Sequence, residues 1–278
     1  MWTVFLVGAA AVTLLIRPLR KRGFFPRLKV WFYIIPVFFT AIFLGRGAFF
    51  SLVMLCFGAS YYELAKLNKE KKIWRHLVSL SLAVPWILGA RFFGFSYWLL
   101  VPAFLAFTAV LYIFLTRNRD RRLNLPVFSF ILGVFFSYWI YLYDLGGYRL
   151  PLFVFSVVSF CDIMAFVYGR LWGKYRPFPT ISPNKTTAGY AGGFISAVVA
   201  AFIFRFTVPE LNSLQLVSAG LLLIASGTAG DLLGSKIKRL YGIKDFSRLL
   251  GPMGGITDRL DSLLITMGIC YCCLLVMI

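Results

Sequence analysis

The chain is poor in acid and almost without histidine. Its 278 residues hold ten Asp and Glu against 29 Lys and Arg, and one histidine. A single imidazole, His76 at the edge of a basic loop, excludes a histidine-built metal cage or catalytic triad and reads as interfacial. The five cysteines (Cys56, Cys161, Cys270, Cys272 and Cys273) lie in apolar runs. They lack the paired spacing of a zinc site, and adjacent Cys272 and Cys273 would strain a disulfide. They read as small buried apolar residues. The chain also lacks the short alternating runs of a β-barrel, any internal repeat and any separate soluble domain.

What fills the chain is apolar surface. Sixty per cent of the residues are hydrophobic, 18% aromatic and only 14% charged. That exceeds the needs of a soluble core of this length, so most of the chain faces lipid or other buried helices. The fold class is all-α, a polytopic transmembrane helical bundle. Ten apolar segments stand out, at about 2–16, 30–44, 48–62, 77–90, 92–115, 126–145, 151–168, 186–204, 214–234 and 260–278. Nine to ten membrane segments are expected. Segments two and three are split only by Arg46 and alternatively form a re-entrant hairpin. The first run has no basic region before it and no cleavage site after it, so it reads as a retained helix. Residues 1–150 are expected to form an N-terminal helical stack and 151–278 a C-terminal helical region, within one membrane unit.

The loops alternate in charge. Five of them, 17–29, 63–76, 116–125, 169–185 and 235–259, hold 25 of the 29 basic residues; the other four hold Arg46, Arg91, Arg149 and Arg205. The positive-inside rule makes the basic side cytoplasmic. The net charge of +19 thus follows from topology and contact with anionic headgroups. It does not call for nucleic acid, because the cations are spread over membrane-proximal loops.

Four of the ten acids, Asp231, Asp245, Asp258 and Asp261, fall among the cations of residues 231–261. Asp258 and Asp261 are three apart and share a helical face. Oxygen ligands of this kind suit Mg²⁺, with Mn²⁺ as a substitute, held jointly by carboxylates and substrate phosphates. The alternative is that these acids only pair with Arg239, Lys244 and Arg259. Upstream, Ser182 and Lys185 precede a helix start at Thr186. They either meet an anionic phosphate at the helix N-terminus or serve as a cap and a snorkelling cation. Asp162, inside the seventh apolar segment, has either a task or a structural hydrogen bond.

The run Ser235-x-x-Lys238-Arg239-x4-Lys244-Asp245-x8-Gly254-Gly255-x-x-Asp258-Arg259-x-Asp261 resembles the C-terminal motif of the phosphatidate cytidylyltransferases, the CDP-diacylglycerol synthases. Ser182-Pro-x-Lys185-Thr186 and Asp162 with Tyr168-Gly169 are similar to that family too, so the likeness covers roughly residues 160–262. It implies a nucleotidyltransferase making CDP-diacylglycerol and pyrophosphate from CTP and phosphatidate. Asp231 and Asp258 would hold the metal, with Asp261 as a weaker third. Lys185, Lys238, Arg239, Lys244 and Arg259 would neutralise phosphates, Ser182 and Ser235 would donate hydrogen bonds, and Asp162 would line the substrate site. It further implies a bacterial inner membrane location, a cytoplasmic site and a possible homodimer. Two departures stand against it. Met253 occupies the place of a usual histidine and Ala188 that of a usual glutamate, which leaves open another lipid acceptor, a CTP-using lipid kinase, or an inactive paralogue acting as a scaffold.

Overall fold

The computed structural model describes residues 24–68, 72–92, 125–251 and 254–277. Among them are eight α-helices: α1 (Phe24–Phe43), α2 (Arg46–Leu67), α3 (Ile73–Phe92), α4 (Leu125–Gly146), α5 (Arg149–Trp172), α6 (Thr187–Ile203), α7 (Ser213–Leu240) and α8 (Thr257–Met277). A 3₁₀ turn at Arg205–Thr207 follows α6. No strand occurs among the described residues. The all-α expectation therefore holds.

Five helices are long and apolar enough to cross a membrane: α2, α3, α4, α5 and α7. The expected nine to ten segments are not reached among the described residues. The runs at 2–16 and 92–115 lie outside them, and the run at 186–204 yields a helix of only 17 residues. The break at Arg46 is real: Gly45, at φ 105°, separates α1 from α2. That backbone conformation suits a residue without Cβ.

The core is aromatic and lies among α1, α2, α4 and α5. Phe38 stacks on Phe155 with centroids 4.0 Å apart, and meets Phe49 and Trp139 edge-on. Trp139 is 1% exposed. Helices from both sides of residue 150 share this core.

Among the described residues, the sparse and the crowded loops lie at opposite ends. At one end Arg46 donates to Asp144 Oδ2 at 2.6 Å and to the Arg91 carbonyl at 3.0 Å. At the other, α5, α7 and the start of α8 converge on the basic loops 173–186 and 241–256. α7, at 28 residues, would measure about 42 Å. That exceeds a hydrocarbon core of about 30 Å.

Candidate active site

Lys185 is set by the start of α6. Thr186 adopts an extended conformation (φ −122°, ψ 156°), and its Oγ1 accepts the Gly189 N–H at 3.2 Å. That is an ordinary side-chain N-cap. Thr186, not Ser182, therefore caps the helix. Lys185, one residue upstream, has its ammonium on the carboxylate of Asp231, from α7. It also lies 5.7 Å from the Tyr190 ring centre. Burial works against the charge on Lys185, but Asp231 more than offsets it and raises the pKa above the usual lysine range. Both partners keep an open side, with side-chain exposures of 25% and 33%.

Asp258 is different. Its Oδ1 accepts from Lys238 Nζ at 2.8 Å, and its Oδ2 accepts two backbone N–H groups, of Phe246 and Gly255, each at 2.8 Å. Its side chain is 2% exposed. Both of its oxygens thus have protein donors. Asp258 thereby ties the loop before α8 to that helix and to Lys238. Lys238, expected on a phosphate, is likewise turned inward. It bridges Asp258 and Asp261 (3.5 Å) and lies 5.4 Å from the Phe246 ring centre.

Asp261, expected as a weaker third acid, has a different setting. One turn further along α8, it lies against α7, whose Gly230 and Gly234 let the backbones meet. A Cβ on Gly230 would come within 2.5 Å of the Asp261 carbonyl oxygen, and one on Gly234 within 2.8 Å of Asp261 Oδ2. Asp261 Oδ1 accepts the N–H of Ser262 at 2.8 Å, while Oδ2 is buried without a hydrogen-bond donor. Asp261 and Asp231 are close enough to interact electrostatically, and Asp162 interacts with Asp231, Lys185 and Arg259. Asp162 has an exposed side although it lies well inside α5. Asp162, Lys185, Asp231, Arg259 and Asp261 form one cluster. The buried Nε of Arg259 has no protein acceptor, which leaves it open to an anion.

The remaining expected residues sit around this cluster. Ser235 Oγ lies 3.5 Å from Asp231 Oδ1. Arg239 donates from Nε to the Ile181 carbonyl (3.3 Å) and from Nη1 to that of Ile243 (3.1 Å), so it staples the two basic loops together. Ser182 is half-buried in the turn before α6, and its carbonyl accepts the Lys185 N–H at 3.2 Å. Lys244 is exposed on the 241–256 loop. Ala188 is half-buried in the first turn of α6, and Met253 lies outside the described residues.

Among the described residues, no three His, Cys, Asp or Glu side chains gather closely enough to hold an ion by themselves. Mg²⁺ does not require that, since it commonly rests on one or two carboxylates plus phosphates and water. The undonated Oδ2 of Asp261 and the partly open Asp231 fit such a group. Beside Asp261 lies an apolar cavity of about 100 Å³, walled by α2, α4, α7 and α8 and including Phe128, Leu132, Leu233 and Leu264. Its polar rim is Lys236 and Asp261.

Sequence reasoning missed Glu63. This residue of α2 is 1% exposed and reaches the loop before α8. Its only signal was rarity, as one of ten acids in the chain.

A profile described as the cytidylyltransferase family matches residues 25–277. The chain is 30% identical over 246 residues to a phosphatidate cytidylyltransferase of Bacillus subtilis, covering 84% of this chain and 91% of that protein. It is 36% identical over 163 residues to a phosphatidate cytidylyltransferase of Staphylococcus haemolyticus, covering 57% and 62%. It is also 39% identical over 133 residues to the uncharacterized protein YnbB of Escherichia coli, covering 46% and 45%. For the last two, the shared stretch spans less than two thirds of the relative's length.

Proposed function

The chain belongs to the cytidylyltransferase family, and on that premise we propose that it is an integral-membrane enzyme converting CTP and phosphatidate to CDP-diacylglycerol and pyrophosphate. The observation that carries this reading is the Lys185–Asp231 ion pair at the basic end of the bundle, with Asp162, Arg259 and Asp261 close enough to interact with it or with one another electrostatically. A cluster of mixed charge at the end of a helical bundle suits a polyphosphate meeting a lipid phosphate. The apolar cavity beside Asp261 suits the start of an acyl chain. The three relatives lend the substrate names only through the two called phosphatidate cytidylyltransferase.

The chemistry asks little of a general base. The lipid phosphate is already anionic, so its oxygen attacks the α-phosphorus of CTP directly. The new bond is between that oxygen and the α-phosphorus. The bond from the α-phosphorus to the β-bridging oxygen breaks, and pyrophosphate leaves with its electron pair. The protein must align the two anions and offset their charge. Lys185 and Arg259 do this within the cluster, and Lys244 meets the triphosphate from the loop. Asp231 and Asp261 would hold Mg²⁺, with Mn²⁺ as a substitute; when bound, the ion supplies charge neutralisation at the displaced phosphates. Lys238 keeps Asp258 and Asp261 in register and touches no substrate. The absence of a histidine at Met253 is tolerable because no proton has to be removed from the nucleophile. The reading further assigns the protein to a bacterial inner membrane with its charged cluster on the cytoplasmic side, and it allows a homodimer.

The test uses purified protein in mixed micelles with phosphatidate and CTP labelled at the α or the γ phosphate. Label from the α position should enter the lipid, and chelation should abolish the transfer. Entry of the γ label would instead mean a CTP-using lipid kinase, and no label in lipid from either position would mean an inactive paralogue.

A further inference from the structure

Glu63 stands at the end of α2, in the half of the chain that carries none of the motif residues. Its carboxylate is nevertheless built into the catalytic end. Oε1 accepts the Ser247 hydroxyl at 2.6 Å and the Ile256 N–H at 2.8 Å. Oε2 accepts the Thr257 N–H at 2.9 Å. The first N–H groups of a helix have no intrahelical acceptor and carry partial positive charge. Glu63 therefore caps α8 from a different helix.

The glycine pair ahead of α8 records the same contact independently. A Cβ on Gly255 would lie 2.4 Å from Glu63 Oε1 and 2.6 Å from its Cδ and Oε2. A Cβ on Gly254, at φ 82°, would lie 2.7 Å from Asp258 Oδ2. Two carboxylates thus lie against one Gly-Gly step, Asp258 on Gly254 and Glu63 on Gly255. They also divide the successive amides: Gly255 donates to Asp258, and Ile256 and Thr257 donate to Glu63. The position of α8 along the bundle axis is set at this point. Asp261 follows one turn later, so its placement against Asp231 inherits that setting.

We propose that Glu63 is a positioning residue of the transfer site, holding the start of α8 at the depth where Asp261 faces Asp231. The proposal rests on the cytidylyltransferase reading for its catalytic consequence, but not for its structural one. Outer groups that orient metal-binding carboxylates typically control activity or metal affinity by about 10- to 100-fold. The expected effect of Glu63→Gln is a fall in kcat of about 10- to 100-fold with KM for the lipid little changed. The Mg²⁺ requirement should rise in parallel. Glu63→Asp, which keeps the charge, should recover part of the loss.

The experiment runs two measurements on the full-length protein in detergent. The first is the α-labelled CTP assay with an Mg²⁺ titration. The second, independent of turnover, is amide hydrogen exchange over residues 254–262 compared with α5. Glu63→Gln and Gly255→Ala should both speed exchange in 254–262 while leaving α5 protected. Unchanged exchange in 254–262 overturns the proposal. So does an equal rise in both regions, which would make Glu63 a general stabiliser of the bundle. So too does selective loosening of 254–262 with wild-type kcat and Mg²⁺ requirement. A wild-type protein that transfers no label defeats the cytidylyltransferase reading instead; the exchange arm then still decides whether Glu63 and Gly255 set the start of α8.

Discussion

Lys185 and Asp231 form an ion pair across two helices, with the lysine one residue ahead of the α6 cap and the aspartate near the C-terminal end of α7. The contact joins the Ser182-Lys185 region to the Asp231–Asp261 region, which nothing in the chain's order requires. Because both side chains keep an exposed face, the pair can open toward a phosphate without first unfolding anything.

Asp231→Asn should therefore abolish transfer and leave the fold standing. Removing one preorganised electrostatic group from a reaction centre commonly costs about 100- to 1,000-fold in kcat. The partial exposure of both partners keeps the stability cost small, because water can replace the lost contact. The checks are the α-label assay and a thermal melt of the detergent-solubilised protein. A folded variant with wild-type turnover would remove Asp231 from the site.

Asp258→Asn and Asp261→Asn should separate structure from chemistry. Asp258 is buried, bonded to Lys238 and to two backbone amides, and breaking such a pair costs about 3–5 kcal/mol. Its variant should melt early or aggregate. Asp261 has one oxygen without a donor and only a 3.5 Å contact to Lys238. Its variant should stay folded and lose activity. Thermal melts with turnover measured on the surviving folded fraction decide this. The reverse order, a stable inactive Asp258→Asn and an unstable Asp261→Asn, would restore Asp258 as the metal ligand.

The sequence made the helical class and the common location of the key charges legible, because a rule on basic loops and one on apolar length suffice for both. Lys185 and Asp231 were each singled out without their being known to touch. What stayed hidden was the assignment within the last acid pair. Asp258 and Asp261 share a helical face, and only the packing before α8 shows that two backbone amides and Lys238 bond the first while the second keeps an oxygen without a hydrogen-bond donor. Glu63 was hidden for a related reason: its partners are backbone amides, and amides leave no mark in a sequence. The glycines at 254 and 255 were visible as a motif, but the carboxylates that require them were not.

Gly234→Ala should damage the site from the α7 side. The added Cβ would lie 2.8 Å from Asp261 Oδ2 and 3.0 Å from its Cβ, so α8 or the carboxylate must shift. A shift of about 1 Å at a reacting group can cost about 100-fold in rate. Gly58→Ala in α2 is the control, since nothing lies within 4 Å of a Cβ there. The outcome expected is a large fall in kcat for Gly234→Ala and wild-type turnover for Gly58→Ala. Equal activity in the two would mean that the close approach of α7 and α8 has no part in placing Asp261.

The Lys185–Asp231 pair also sets a pH signature. The folded pKa of Lys185 is raised, with burial opposing the charge and Asp231 outweighing it. A group whose pKa is higher in the folded state binds its proton more tightly there, so it adds stability at every pH below its unfolded value, about 10.4 for lysine. That contribution is constant through neutral pH and disappears as pH rises through the raised folded value. The melting temperature of the wild type should therefore show no Lys185-dependent change between about pH 6 and 9, then a loss above about pH 10.4. Lys185→Met should remove that alkaline component while leaving the rest of the profile in place. Melts of both proteins across this range test the sign directly: a Lys185-dependent gain in stability on raising the pH would contradict the pair.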